Sequence, residues 1–330
     1  FSEWKLSEYN TLLGVEAPQF GGNKTRVSTC QDCHMRDITG SAGAFYGGNG
    51  IVRKDMPLHD LTGGNTWVPQ IIPLHPEFGE AFPANSPRLE ALENGVLRAR
   101  DMLQKAARLE VTRNGNDLSV KLYNDSGHKL PTGYIEGRRM WLQVDGYDAS
   151  CNLIYTSGAY DALTGVLEGY HSDPNLKVYE SKHGLSAAWA SDLGLPAGAS
   201  FHFALNNEIV SDNRIPPRGY SFAEYNAHQA APYTNSMPDS TLYADGQYWD
   251  TTAYTLPEIV VWGNVRLVYQ TASKEYIEFL RDNNPNEGQN NGKILFDLWD
   301  RSGKSKPEIM VDTRFGEETC QLFLPSVTRP

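Results

Sequence analysis

The sequence predicts a mainly β protein: an antiparallel β-sandwich with long loop insertions, preceded by an irregular segment and one long helix. Three observations carry this. Beyond residue 110, short runs of alternating apolar and polar residues recur with turn residues between them and no intervening helical pattern. Just upstream, one stretch has apolar residues at spacings of three and four. Residues 1 to about 86 have no strong periodicity and are rich in Gly, Pro and His, so they have little core of their own.

The helix opens at Ser86-Pro87, where Ser is a good N-cap and Pro suits the first turn. Leu89, Leu92, Val96, Ala99, Leu103 and Ala106 then form one apolar stripe, predicting a helix over 87–109 with one face packed on the preceding segment. Alternation at Leu118, Val120 and Leu122, at Met140 to Val144, at Phe201 to Leu205 and at Ile259 to Tyr269 predicts strands. Turn signals fall at Asn114-Gly115-Asn116, Asp125-Ser126-Gly127 and Asp145-Gly146. Two excursions, 156–198 and 211–256, interrupt the sandwich; the second is dense in Tyr, Pro and Asn, and its tyrosines read as packing for an ordered loop. Lys274 to Arg281 and Lys293 to Arg301 read as short helices. The division expected is therefore 1–109 and 110–330.

Bulk composition narrows the function. The 330 residues carry a net charge of −11 without any run of Lys or Arg, which argues against nucleic acid as a partner. No stretch approaches the roughly 20 apolar residues of a membrane span. The chain starts at Phe1 without an initiator Met or a signal peptide, and so reads as a processed or truncated piece of a longer protein.

The most specific signal is Cys30-Gln31-Asp32-Cys33-His34, the attachment pattern of a c-type haem. With 4 Cys and 8 His in the chain, the pattern arises by accident about once in a thousand such sequences. Two thioethers fix the porphyrin, and the adjacent imidazole reaches the iron as proximal ligand. A zinc site would need two further ligands at similar spacing, and a redox CxxC is the other reading. One haem c per chain is the expectation, with Cys30 and Cys33 bonded to it and His34 on the iron.

The sixth position of the iron also needs a ligand. His59 is the first candidate, in Pro57-Leu58-His59-Asp60-Leu61-Thr62-Gly63-Gly64-Asn65, where two glycines let backbone approach a flat macrocycle. Asp60 or a loop carbonyl could orient the imidazole. His75 and His128 are the alternatives. Met102 falls within the helix and reads as packing, and Met35 is too near His34 to reach the opposite face. Two imidazoles imply a low reduction potential. Attachment of this haem takes place outside the reducing cytoplasm, so a periplasmic or extracellular location is expected and Cys151 and Cys320 are plausible disulfide partners.

Phe1-Ser2-Glu3-Trp4-Lys5-Leu6-Ser7, Thr29 to Met35 and the His59 loop together resemble one unit of the multihaem c-type cytochromes. Asn124-Asp125-Ser126-Gly127-His128-Lys129-Leu130-Pro131-Thr132-Gly133 and Asp212-Asn213-Arg214-Ile215-Pro216-Pro217-Arg218-Gly219 resemble signatures of the β-rich C-terminal region of large exported cytochromes. The resemblance implies electron transfer between haems and a loop histidine as axial ligand. This chain departs from that family in carrying a single CxxCH, so further haems must precede Phe1 or come from partner subunits or other redox proteins, in a homo- or hetero-oligomer.

Within the two β-region motifs, His128 stands in a constrained turn from which it could reach a haem, and Arg214 or Arg218 could pair a carboxylate or a propionate. Asp239, Asp245 and Asp250 are candidate Ca²⁺ ligands, although they lack EF-hand spacing. Two other functions stand beside electron transfer: a haem enzyme with an open sixth site, and a structural or filament-forming sandwich in which the haem is a staple.

Overall fold

In the computed structural model, which describes residues 1–41, 50–284 and 290–318, the chain is mainly β with antiparallel sheets and a few helices. Its centre is a sandwich. One layer is a three-stranded sheet ordered Trp249–Thr255, Asp117–Asn124, Ala107–Asn114. The other runs Val178–Tyr179, Arg139–Tyr147, Trp262–Gln270, Glu308–Phe315, with Leu153–Ser157 sharing the outer edge of the Arg139–Tyr147 strand. Register follows the period-two pattern: Val120, Leu122, Leu142, Val144, Val265 and Leu267 all reach one buried cluster between the layers.

Arg139–Tyr147 is buried on both faces. Met140, Leu142 and Val144 enter the sandwich, while Trp141 faces the other way into a cluster with Leu167 and Val268. The 156–198 excursion thus covers the back of this sheet. The excursions also contribute a third antiparallel sheet, ordered Gly198–Ala199, Ser181–Leu185, Glu208–Asp212, Tyr233–Thr234, Met237–Pro238. Tyr220, Tyr225, Tyr243 and Tyr254 pack into the main core.

The long helix spans Pro87–Lys105, with the Ser86 hydroxyl accepting from Leu89 N at 3.2 Å. It ends four residues before the expected 109. Ala107–Asn114 is a strand instead, because Leu109 and Val111 fit a period of two and pair with Leu122 and Val120. The helices Lys274–Asp282 and Asn291–Arg301 stand where the sequence puts them, packed with Trp67 and Ile71 around Ile277, Leu298 and Trp299.

Two local expectations fail. Residues 201–205 form turns, not a strand, and the strand of that region is Glu208–Asp212. Asp145-Gly146 is no turn; Gly146 lies inside a strand opposite Gly263, where a Cβ would stand 2.9 Å from Val260.

The first 41 residues hold a small cluster of Tyr9, Val15, Ala17, Phe20 and Val27, against which Trp4, Cys33 and Met102 pack. The Tyr9 hydroxyl donates to Asp125 O at 2.6 Å and Glu8 N to Arg218 O at 2.9 Å, so this segment is strapped to the end of the sandwich. No described helix is long and apolar enough to cross a membrane.

Candidate functional site

Cys30–His34 is itself a short helix, held by a capping box. The Thr29 hydroxyl accepts from Asp32 N at 3.2 Å, and the Asp32 carboxylate accepts from Thr29 N and Ser28 N, each at 2.9 Å. Burial alone would raise the Asp32 carboxyl, but Lys24 at 2.7 Å and those two N–H donors outweigh it and hold it at about 2. The helix presents Cys30, Cys33 and His34 to one cavity. His34 Nδ1 lies 2.5 Å from the Thr62 carbonyl, so Nδ1–H donates there and Nε2 is the nitrogen left for a metal.

The opposite wall is the turn after the Asp117–Asn124 strand. There the His128 ring faces His34, with centroids 6.2 Å apart and planes inclined by 24°. Imidazole nitrogens bind a metal ion at about 2 Å, so this separation of the rings leaves room for one ion between them. Burial pushes the His128 imidazole down to about 4, with Glu3 opposing, so it is neutral at pH 7 as a ligand must be.

Both β-region motifs serve to fix that turn. The buried Asn124 amide donates to the carbonyls of His128, at 2.8 Å, and Ile215, at 2.9 Å. Leu130 and Ile215 exchange backbone hydrogen bonds of 2.9 and 3.0 Å. Lys129 Nζ pairs with Asp212 at 2.8 Å, Arg214 pairs with Asp212 at 2.6 Å and Glu3 at 3.2 Å, and Glu3 accepts from Lys129 N at 2.9 Å. Arg218 lies 3.4 Å from Asp125. The arginines therefore pair protein carboxylates. Glu3, to which the sequence analysis assigned no role of its own, joins both motifs.

The cavity between the walls has a volume of about 320 Å³ and is mostly apolar, with Trp4, Phe20, Met102, Leu103 and Leu130 among its lining. That size lies within the range of small-molecule sites. Gly63 and Gly64 of the predicted loop also line it, but His59 does not: its side chain is exposed and outside the cavity. His75 is elsewhere too, stacked on Phe78 at 4.4 Å and accepting from Glu77 N. The structure thus brings together Cys30, Cys33, His34 and His128, and leaves His59 and His75 apart. Arg138, on the cavity wall, keeps a buried Nε without a hydrogen-bond partner.

A porphyrin fits this donor set. Cys30 and Cys33 would hold it covalently and His34 and His128 would supply imidazoles to its iron, and an apolar slot beside the unpaired Arg138 Nε suits an apolar macrocycle with carboxylate side chains. Burial pushes the Cys33 thiol up to about 12, with Asp32 and Cys30 adding to it, the opposite direction from a reactive CxxC thiol. Among the described residues no group of three or more His, Cys, Asp or Glu side chains is assembled for a metal ion. The candidate Ca²⁺ ligands are not gathered into one group among the described residues: Asp239 caps Thr241, Asp245 accepts from Phe222 N, and Asp250 pairs with Lys177. Cys151 sits in a turn at φ 66°, and Cys320 lies outside the described residues.

No family model matches the chain, and no curated protein matches it. Among solved structures, it is similar to a penta-heme cytochrome c552 from Thermochromatium tepidum, at 15% identity and a TM-score of 0.35. The match covers 66% of this chain and 40% of that one, so the chain spans less than half of that structure's length.

Proposed function

We propose that the chain is a c-type cytochrome carrying one haem, bonded to Cys30 and Cys33, with His34 and His128 as axial ligands, and that it passes single electrons between haem-bearing partners in a larger exported assembly. The observation that carries this is the facing pair His34 and His128, 6.2 Å apart across an apolar cavity that the two cysteines also line. The haem, when bound, supplies a one-electron couple. The chain's own residues do the rest. Thr62 O fixes the tautomer of His34, the Lys129–Asp212–Arg214–Glu3 cluster holds the turn of His128, and Trp4, Phe20 and Leu103 keep water from the slot.

His128 replaces His59 as the distal ligand in this reading, and with that position filled the open-site enzyme is disfavoured. An oxidising location goes with it, and with it a Cys151–Cys320 disulfide.

The test is the ultraviolet–visible spectrum of the purified chain, oxidised and reduced, with a pyridine haemochrome on the same sample. One haem per chain and a low-spin spectrum are expected. His128→Ala should turn it high-spin and His59→Ala should leave it unchanged. The reverse result would make His59 the ligand, and a wild-type high-spin spectrum that shifts with added small ligands would favour an enzyme.

A further inference from the structure

A second cavity, of about 200 Å³, shares Arg138 with the first but differs in chemistry. It lies against the back of the Arg139–Tyr147 strand, under the excursion that supplies Tyr170, Ser181 and Lys182. We propose that it binds a small oxyanion, a carboxylate or an inorganic oxyanion, held between the Arg139 guanidinium and the Ser181 hydroxyl.

The case rests on unpaired donors. Arg139 is 1% exposed. Its Nε donates to Gln270 Oε1 at 2.9 Å, and the guanidinium lies 4.8 Å from the centroid of the Tyr170 ring. Its Nη1 and Nη2 are buried without hydrogen-bond partners; Nη1 is ion-paired with Glu275 Oε2 at 3.4 Å, which leaves Nη2 unmatched. Ser181 Oγ is likewise buried and unpaired. Arg139, Tyr170, Ser181 and Glu275 all line the one cavity. Buried charged donors left unmatched are costly, and native interiors rarely keep several together unless something else satisfies them.

The sign of the ligand follows from what is already spent. Glu180 accepts from the Tyr170 hydroxyl at 2.8 Å and pairs with Lys182 at 3.0 Å, so its charge is committed. Glu275 is the remaining carboxylate, and it is ion-paired with Arg139 at 3.4 Å. Burial pushes the Glu136 carboxyl up to about 7, so this side chain is protonated in much of the population near neutral pH and adds a further donor. A cation would meet the guanidiniums of Arg138 and Arg139. An anion with two oxygens meets a fork of N–H donors matched to it. The volume is below that of drug-sized sites, which limits the ligand to a small one.

Calorimetric titration of the full holo-chain with inorganic phosphate and, separately, with acetate, at constant ionic strength in chloride, tests this and separates the two oxyanion sources. Saturable one-site binding of at least one probe is expected. Ser181→Ala should weaken it about tenfold, and Arg139→Gln should abolish it. Because Arg139→Gln removes a buried ion pair and risks misfolding, the partly exposed Lys182→Gln is a second variant, expected to weaken binding with an unchanged near-ultraviolet circular dichroism spectrum. Absence of saturable binding by either probe, or equal binding by all variants, overturns the proposal. So does a crystal structure grown with phosphate that shows only water between Arg139 and Ser181.

Discussion

Lys129 Nζ stands 2.8 Å from Asp212 Oδ2 across 83 residues of sequence, and both side chains are almost wholly buried. The pair ties the turn carrying His128 to the third sheet, and Arg214 shares the same carboxylate. Asp212→Asn leaves Lys129 and Arg214 as facing buried cations, and should cost about 3–5 kcal/mol in urea unfolding. Lys129→Met should cost less, since Arg214 still pairs Asp212 and the Met side chain keeps most of the stem.

The same carboxylate makes stability depend on acid. Burial raises the Asp212 carboxyl, but Arg214 and Lys129 outweigh it and hold it well below the ordinary value of 3.8. A depressed carboxyl contributes fully above its unfolded pKa, and the contribution is lost as pH falls through the folded one. Unfolding free energy should therefore fall on acidification below about pH 4, more steeply in wild type than in Asp212→Asn. Equal slopes would sink this assignment.

The Cys30–His34 helix has only five residues and depends on its cap. Thr29→Ala removes the acceptor for Asp32 N and should cost about 0.5–2 kcal/mol, with Thr29→Ser close to wild type. Thermal unfolding monitored at the Soret band and in the far ultraviolet would register the loss.

Much of this architecture is legible in the sequence, and the failures share a cause. Alternation found the Asp117–Asn124 and Trp262–Gln270 strands because each buries one face against the sandwich. The Ala107–Asn114 strand escaped because Leu109 fits both the helical stripe and a period of two, and only pairing with Leu122 decides between them. At the site, Cys30, Cys33 and His34 are local and readable. His59 and His128 look alike in sequence, each in a loop with glycine. What separates them is non-local: Lys129 meets Asp212 and Leu130 meets Ile215, and those contacts carry His128 to His34. Charged residues in both β-region motifs were the available hint, since buried opposite charges need partners.

Two adjacent glycines of the His59 loop should respond differently to substitution. A Cβ on Gly64 would lie 2.8 Å from Leu103 Cδ2, and one on Gly63 meets nothing within 4 Å. Leu103 lines the cavity, so Gly64→Ala pushes it into the space a macrocycle would use. An overpacking cost of about 1–3 kcal/mol and a lowered haem-to-protein ratio are expected for Gly64→Ala, against a change within about 0.5 kcal/mol for Gly63→Ala. A pyridine haemochrome against total protein measures the ratio.

Glu136 sets an opposite pH trend to Asp212. It is 4% exposed, and burial pushes its carboxyl up to about 7 while a 3.3 Å hydrogen bond from Asn206 opposes the rise only weakly. A raised carboxyl binds its proton more tightly in the folded chain, so its contribution is full below the unfolded value of 4.5 and is lost as pH rises through about 7. Wild type should lose stability between those pH values, and Glu136→Gln, which is neutral throughout, should not. The variant should therefore be the more stable of the two above pH 7, with the difference closing towards pH 4.5. Unfolding midpoints at a series of pH values decide the matter. Parallel curves for the two proteins would mean that Glu136 is solvated and ionised in the native state, and the second cavity, which it lines, would then hold one more negative charge.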